Sequence, residues 1–201
     1  MWYKVNKRFV GTEKVRPNKY EYSYDFRNKT LAWMQSDGWA FDSTSWVTIN
    51  SSWIAFNAYN AAYIVKPSGL TNALSNAKKV TMELYFYNAG NTRTTESDTQ
   101  LTIATNWTRN ITWYFGNCKI IACRVYGTNI KYDTYTISAW EYTSTVTIDF
   151  VNKTLRLVYS SLVDQSFSLT DTQISNIKAQ NSLRIDWSEW AITKTMKVTI
   201  E

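Results

Sequence analysis

The fold is decided most clearly by the stretch Thr145-Val-Thr-Ile-Asp-Phe-Val-Asn-Lys-Thr-Leu-Arg-Leu-Val-Tyr-Ser160. A two-residue turn at Asn152-Lys153 would bring apolar residues opposite one another on one side of a ribbon: Phe150 with Leu155, Ile148 with Leu157 and Val146 with Tyr159. The other side would pair Asp149 with Arg156. Since one register satisfies both the apolar face and the charge pair, this stretch predicts an antiparallel hairpin with one solvated face.

The same short-strand pattern extends in both directions along the chain. About a dozen runs of alternating apolar and polar residues follow one another at roughly 8–12-residue spacing, without long helices. Two short helices are predicted: Thr30–Ser36, ending at Asp37-Gly38, and residues 171 to 179, opened by the capping box Thr170-Asp-Thr-Gln173. The pattern therefore predicts an all-β, two-layer antiparallel sandwich or a barrel, and it excludes parallel βαβ units.

Composition agrees with one domain whose turns depend little on glycine. A chain of 201 residues is long enough for a single β-sandwich with a sizeable core. It has only 6 Gly and 2 Pro, so other residues must supply the turn positions with positive φ. Asn tolerates that conformation best among residues with a side chain, and we expect it there.

Basic residues are concentrated at the N-terminus. Residues 1–19 carry six basic side chains and one acidic one, which is five of the chain's net charge of +6. Pro17 cannot continue a strand ladder, so we divide the chain into a basic arm, residues 1–17, and a sandwich domain, residues 18–201. The arm is predicted to dock on a partner, and the alternative is a solvated strand that binds nothing. The residues predicted to contact the partner are Trp2, Lys4, Lys7, Arg8, Lys14 and Arg16.

Several short motifs carry a resemblance to a known group of proteins. They are Lys14-Val-Arg-Pro17, Tyr24-Asp-Phe-Arg27, Asp37-Gly-Trp39, Leu74-Ser-Asn-Ala-Lys-Lys-Val-Thr81 and Leu183-Arg-Ile-Asp-Trp187. Together they resemble the concanavalin-like jelly rolls of small virion proteins in tailed bacteriophages. The resemblance implies a jelly-roll sandwich with a structural or attachment role in a virion tail, fibre or head decoration, assembled in the host cytoplasm.

The residue inventory excludes most catalytic chemistry. There is no His, which removes Ser-His-Asp and Cys-His arrangements and the His-containing zinc sites. Two Cys cannot close a structural zinc site, and no phosphate loop or calcium loop is present, so we expect no metal and no cofactor. The apolar run from Trp53 to Val65 is interrupted by Asn and is too short to span a bilayer.

Glycan binding is the alternative function that the aromatic content favours. Exposed Trp and Tyr rings can support the apolar face of a sugar, while polar neighbours bind its hydroxyl groups. The candidate ligand-binding residues are Trp107, Trp113, Tyr114, Trp140 and Tyr142, although core packing explains each of them singly. Since strand alternation puts Trp113 and Tyr114 on opposite faces, at least one of these rings should point away from the core.

Two further functions rank lower. Glycoside hydrolysis needs two carboxylates about 5–9.5 Å apart, but Glu83 stands alone and Asp186 with Glu189 has the wrong spacing for one strand face. Nucleic-acid binding would need a basic stripe interleaved with aromatic residues on the body, which is missing. We therefore predict a non-enzymatic virion attachment protein and expect a homo-oligomer, with a carbohydrate-binding module unrelated to a virion as the alternative and a glycoside hydrolase third.

Overall fold

The computed structural model describes residues 11–16, 19–41, 47–50, 53–56, 61–88, 99–105, 108–115, 120–125, 128–134, 140–187 and 191–201. Its side chains are described over residues 11–15, 19–41, 64–86, 141–185 and 193–201. Strands and helices are numbered along the chain.

Among the described residues, two seven-stranded antiparallel sheets make up the body. The first sheet has the spatial order β1 (Thr12–Arg16), β2 (Lys19–Asp25), β16 (Ala191–Ile200), β7 (Lys79–Asn88), β12 (Trp140–Asp149), β13 (Thr154–Tyr159) and β14 (Val163–Ser168). The second has the order β11 (Thr128–Thr134), β10 (Ile120–Val125), β9 (Thr108–Phe115), β8 (Thr99–Thr105), β15 (Ser182–Trp187), β6 (Ala61–Val65) and β3 (Ala40–Phe41). A separate ribbon joins β4 (Val47–Asn50) to β5 (Trp53–Phe56). The predicted two-sheet antiparallel sandwich is confirmed.

In the part of the chain that the structure describes, three short helices accompany the sheets: α1 (Leu31–Ser36), α2 (Leu70–Ser75) and α3 (Asp171–Lys178). The capping box that predicted α3 is present, because the Thr170 hydroxyl accepts from the Gln173 amide while the Gln173 side chain accepts from the Thr170 amide. The predicted end of α1 is also confirmed: Gly38 has φ +94°, a conformation that a residue with a side chain rarely adopts.

The core lies between the sheets and is filled mainly by the inner face of the first one. The alternating inner residues of β7 are all buried: Val80, Met82, Leu84 and Phe86. The second sheet contributes Val65, Leu183 and Ile185, and the helices contribute Met34, Leu70, Leu74 and Ile177. Burial on alternate residues is what places one face of each strand in the core and the other in solvent.

The decisive hairpin forms, but its predicted register is wrong by two residues. Ile148 pairs with Leu155 rather than Leu157, so the loop spans Phe150 to Lys153 instead of two residues. The face assignment survives, since a shift of two preserves strand alternation. The predicted charge pair does not: Asp149 accepts from the amides of the loop, and Arg156 binds Asp164 on β14, with Nη2 and Oδ2 2.6 Å apart.

Part of the predicted arm belongs to the first sheet. β1 pairs with β2 from Thr12 opposite Ser23 to Arg16 opposite Lys19, so residues 12–16 form a strand of the first sheet. Lys14 is exposed on this strand, and Arg16 ends it. The other four arm residues, Trp2, Lys4, Lys7 and Arg8, lie outside the described residues. The docking role of residues 1–17 stays a prediction.

One local expectation, the use of Asn at turn positions with positive φ, is met only in part. Positive φ was expected at Asn, but the non-glycine residues with positive φ in the described ranges are Asn28, Lys153 and Ser160. Ser160 is held there by its turn, where its amide donates to the Thr143 carbonyl oxygen at 2.9 Å.

Candidate functional site

A cleft of about 740 Å³ opens at one end of the first sheet. Four segments that are distant in sequence form it: the β1–β2 hairpin, helix α2 with the residues that follow it, the loop after β12, and the end of β16. Its size is that of a pocket for a small ligand.

The rim of the cleft combines apolar and amide side chains. The side chains of Val15 and Val151 are 73% and 67% exposed. They have the highest exposed fractions of the large apolar residues among the described side chains. Beside them are the side-chain amides of Asn72, Asn76 and Asn152. An apolar surface bordered by amides suits a ligand that is itself amphipathic.

One wall is held in place by Glu13 on β1. Its carboxylate accepts hydrogen bonds from the Gly69 amide at 2.7 Å and the Ser68 hydroxyl at 3.1 Å, at the start of α2. The approach is close enough that a Cβ on Gly69 would lie 2.6 Å from Glu13 Oε1 and 3.0 Å from the Tyr20 ring. Glu13 thus ties the edge strand to the helix that forms the opposite wall.

Tyr20 lies beneath this wall. Its ring is buried, and its hydroxyl has no hydrogen-bond partner in the described part of the chain. Burial, and then the negative charge of Glu13, raise the pKa of Tyr20 well above its ordinary value. Tyr20 therefore stays neutral and keeps its proton at physiological pH.

The opposite side of the cleft is a rigid loop organised by Asp149. This carboxylate accepts from the amides of Val151 at 3.0 Å and Asn152 at 2.8 Å, and from the Asn152 side chain at 2.8 Å. The hydrogen bonds from Asn152, and then that from Val151, lower the pKa of Asp149. Asp149 is thereby engaged within its own loop, and Val151 and Asn152 line the cleft beside it.

The base of the cleft is the pairing between β16 and the start of β7. The Glu201 carbonyl oxygen accepts from the amides of Lys78 at 2.6 Å and Lys79 at 2.9 Å. These backbone groups are therefore already hydrogen-bonded, so a ligand at the base of the cleft would bind to side chains.

We expect Glu13→Ala to destabilise the fold by about 1–3 kcal/mol, because the Gly69 amide would lose a charged acceptor in partly buried surroundings. The measurement is urea unfolding followed by fluorescence, with Lys14→Ala as the control on the same strand, where the side chain is exposed. Equal stability of the two variants would show that Glu13 does not hold β1 to α2.

A second polar cluster lies on the outer face of the first sheet. A bulge between Thr193 and Thr195 turns Lys194 outward, where its ammonium group and the Tyr85 hydroxyl both donate to Glu141. Lys194 Nζ also lies 5.2 Å from the centroid of the Tyr85 ring. The hydrogen bonds from Lys194 and then Tyr85 lower the pKa of Glu141. The three groups satisfy one another, which leaves little for a ligand.

The predicted glycan-binding residues do not come together in one sheet. Trp113 and Tyr114 are neighbours on β9 in the second sheet, while Trp140 and Tyr142 are on β12 in the first. The Tyr142 ring packs on the rings of Phe86 and Tyr159, with centroids 6.2 Å and 5.4 Å apart. Trp107 lies outside the described residues. Glycan binding by these five residues stays a prediction.

The carboxylates considered for hydrolysis are also distributed over both sheets. Glu83 is on the outer face of β7, opposite Lys197 and Thr145, whereas Asp186 belongs to β15 of the second sheet. Glu189 lies outside the described residues. Within the described side chains, no three His, Cys, Asp or Glu residues gather into a cluster able to hold a metal ion. In the same residues no helix has the length and apolar character to cross a membrane.

Sequence reasoning missed the cleft because no motif marks it. Asn72, Asn76 and Asn152 read as ordinary turn and helix residues, and Val15 reads as part of a strand. The Leu74–Thr81 segment indicated the resemblance to virion jelly rolls, and Asn152-Lys153 predicted a turn; neither segment indicates a cleft.

No protein-family model matches the chain, and no curated protein sequence does either. Solved structures do match it. Lectin I from Ulex europaeus, in complex with the methyl glycoside of alpha-L-fucose, superimposes with a TM-score of 0.60 at 9% identity, over 92% of this chain and 98% of that one. The metal-free form of lectin I-B4 from Griffonia simplicifolia gives a TM-score of 0.59 at 12% identity, over 88% of this chain and 98% of that one.

A bacterial carbohydrate-binding structure also superimposes on the chain, over fewer of its residues. The CBM40 of the Ruminococcus gnavus IT-sialidase superimposes with a TM-score of 0.50 at 13% identity, over 70% of this chain and 86% of that one. At such identities the likeness concerns the fold alone. The chain is an all-β, concanavalin-like jelly-roll sandwich.

Proposed function

We propose that the protein is a non-enzymatic carbohydrate-binding module and that the cleft at the end of the first sheet is its binding site. The observation that carries the proposal is the composition of the rim, where exposed Val15 and Val151 stand beside the amides of Asn72, Asn76 and Asn152. A sugar ring has the complementary composition, with C–H groups on its faces and hydroxyl groups around its edge.

The unused hydrogen-bonding capacity of the amides supports this assignment. The Asn76 side chain donates to the Asn72 carbonyl oxygen at 3.0 Å, and the Asn152 side chain donates to Asp149. The NH₂ groups of Asn76 and Asn152 are thus used within the protein, which leaves the amide oxygens of these two residues as acceptors for a ligand. Held in fixed orientations, these acceptors can bind hydroxyl groups with a small entropic cost.

The fold is compatible with the same function. Jelly-roll sandwiches similar to this one over most of its length include a lectin solved with a methyl glycoside of fucose and the CBM40 of a sialidase. Glycan binding by this chain is a proposal that rests on its own cleft, since function depends on the site rather than on the fold.

The virion role and virion location remain predictions based on the resemblance of the sequence motifs. The observation that bears on them is the position of β1, which is the terminal strand of the first sheet among the described strands and exposes Lys14 and Val15. A carbohydrate-binding module displayed on a virion would satisfy both proposals.

Asn72→Ala is expected to weaken glycan binding about tenfold, the effect of losing one hydrogen bond that the solvent does not replace. The ligand is first identified by screening the full chain on a glycan array, and its Kd is then measured by titration calorimetry. Ala is a strong helix former and Asn72 is exposed on α2, so the variant should fold.

Thr71→Ala is the matched control, because Thr71 is an exposed residue of the same helix outside the cleft. It should leave the Kd unchanged. Binding that survives Asn72→Ala at full strength would move the site elsewhere, and the absence of binding to any glycan would overturn the proposed function.

A further inference from the structure

We propose that the cleft selects sugars that carry a carboxylate group, with Lys78 as the residue that binds it. This inference rests on the proposed function and names its ligand class. It follows from the charges around the cleft, which is lined by three Lys residues and two acidic ones, and from Lys78, whose ammonium group has no ion-pair partner among the described residues.

The acidic groups nearest the cleft already have donors. Asp149 accepts three hydrogen bonds from Val151 and Asn152. Glu13 accepts from Gly69 and Ser68. Glu201, the other acidic residue of the lining, has Lys19 Nζ 4.0 Å from its carboxylate. Each acidic side chain at or beside the cleft therefore has a donor or basic group of the protein near it.

The basic groups are differently placed. Lys78 lines the cleft and is exposed, and its ammonium group has no hydrogen-bond or ion-pair partner among the described residues. Lys19 is held only loosely, with Nζ 4.0 Å from the Glu201 carboxylate. Lys79 lies opposite Asp149 in the ladder, and its positive charge contributes to lowering the pKa of Asp149. Three ammonium groups thus border the cleft, and Lys78 is the one that no described group neutralises.

The position of Lys78 fits a ligand held by the amides. It lies two residues after Asn76, and its own amide is fixed by the Glu201 carbonyl oxygen at 2.6 Å. The backbone is therefore anchored while the long side chain is free to reach a carboxylate on a ring that contacts the rim. A Lys ammonium binds such a group through a charge-assisted hydrogen bond.

The test compares matched sugars that differ only in the acidic group. D-galacturonic acid and D-galactose, and D-glucuronic acid and D-glucose, are titrated against the full chain at low salt. We expect each acid to bind about three- to tenfold more tightly than its neutral partner, as for one charge pair at a partly exposed site. The preference should decline as salt is added, because the pair is screened.

Lys78→Gln should abolish the preference, measured as the ratio of the Kd for the neutral sugar to the Kd for its acid. Lys197→Gln is the control, since it removes the same charge from the outer face of the first sheet, where Lys197 lies 3.5 Å from Glu21. That variant should keep the preference.

The outcomes separate the two proposals. Equal affinity for acid and neutral sugars, or a preference that survives Lys78→Gln, overturns the acidic ligand class and leaves glycan binding standing. Acetate binding as tightly as the sugar acids would also overturn it, because the cleft would then be a simple anion site. Failure of every sugar to bind would remove the proposed function together with this inference.

Discussion

Asp37→Asn should destabilise the protein by about 3–5 kcal/mol, a large part of the stability of a typical domain. Asp37 and Lys29 form an ion pair inside the fold, with Nζ and Oδ2 3.1 Å apart and side chains only 1% and 5% exposed. The Tyr24 hydroxyl also donates to Asp37, at 2.9 Å, and the Lys29 ammonium lies 4.9 Å from the centroid of the Tyr24 ring. Asn keeps the volume and an acceptor for Tyr24 but leaves the ammonium group buried without a counter-charge.

Urea unfolding at neutral pH measures this effect, and Asp25→Asn is its control. Asp25 forms a bidentate pair with Arg27, at 2.9 Å and 2.6 Å, but both side chains are exposed. The control should cost less than about 1 kcal/mol, since solvent screens the pair. If the two variants lost similar amounts of stability, burial would not be what makes the Asp37–Lys29 pair important.

A double variant, Lys29→Met with Asp37→Asn, separates the charge from the shape of the site. Since the penalty in Asp37→Asn comes from an unpaired buried ammonium group, replacing Lys29 with an apolar residue of similar length should recover most of the lost stability. Additive losses in the double variant would show instead that both side chains act through packing.

Phe86→Ala is the second large effect, and we expect it to cost about 3–5 kcal/mol. Phe86 is fully buried on β7, which lies between β16 and β12 in the first sheet. Its ring packs on those of Tyr142 and Tyr159, the latter at a centroid distance of 5.8 Å. Because neighbouring strands hold the backbone on both sides, the structure can collapse little around the cavity.

Tyr85→Ala is the control for this variant because it removes the adjacent aromatic ring from the outer face of the same strand. Tyr85 donates to Glu141 and contacts Lys194, so a cost of about 1 kcal/mol is expected. The difference between the free energies of unfolding of the two variants, measured in the same way, shows which face of β7 is buried. A larger loss for Tyr85→Ala would reverse the inner and outer faces assigned to that strand.

Strand alternation was enough to predict which face of the decisive hairpin is buried, but it did not determine the pairing. A shift of two residues keeps Val146, Ile148, Leu155 and Leu157 on the same face. The choice between registers depended on Asp149, whose carboxylate binds the amides of a four-residue loop instead of Arg156. Such local hydrogen bonding competes with cross-strand pairs and is hard to predict from spacing.

The cleft could not be predicted because it exists only after distant segments have come together. Val15, Asn72 and Val151 are separated by more than half of the chain and share no motif. The aromatic residues that were predicted to bind a glycan gave a stronger sequence signal, yet the ring of Tyr142 is used for packing at the margin of the core. Aromatic content alone does not separate packing from recognition.

The central position of β16 has a consequence for how the chain folds as it is synthesised. β2 and β7 are 54 residues apart from the end of one to the start of the other, but they meet only through residues 191–200, which are inserted between them. Until those residues leave the ribosome, both strands keep an unpaired edge and the inner face of the first sheet stays incomplete. Completion of the first sheet therefore awaits a strand that is synthesised after all the others in it, a topology associated with slow folding and with exposed edges that other chains can pair with.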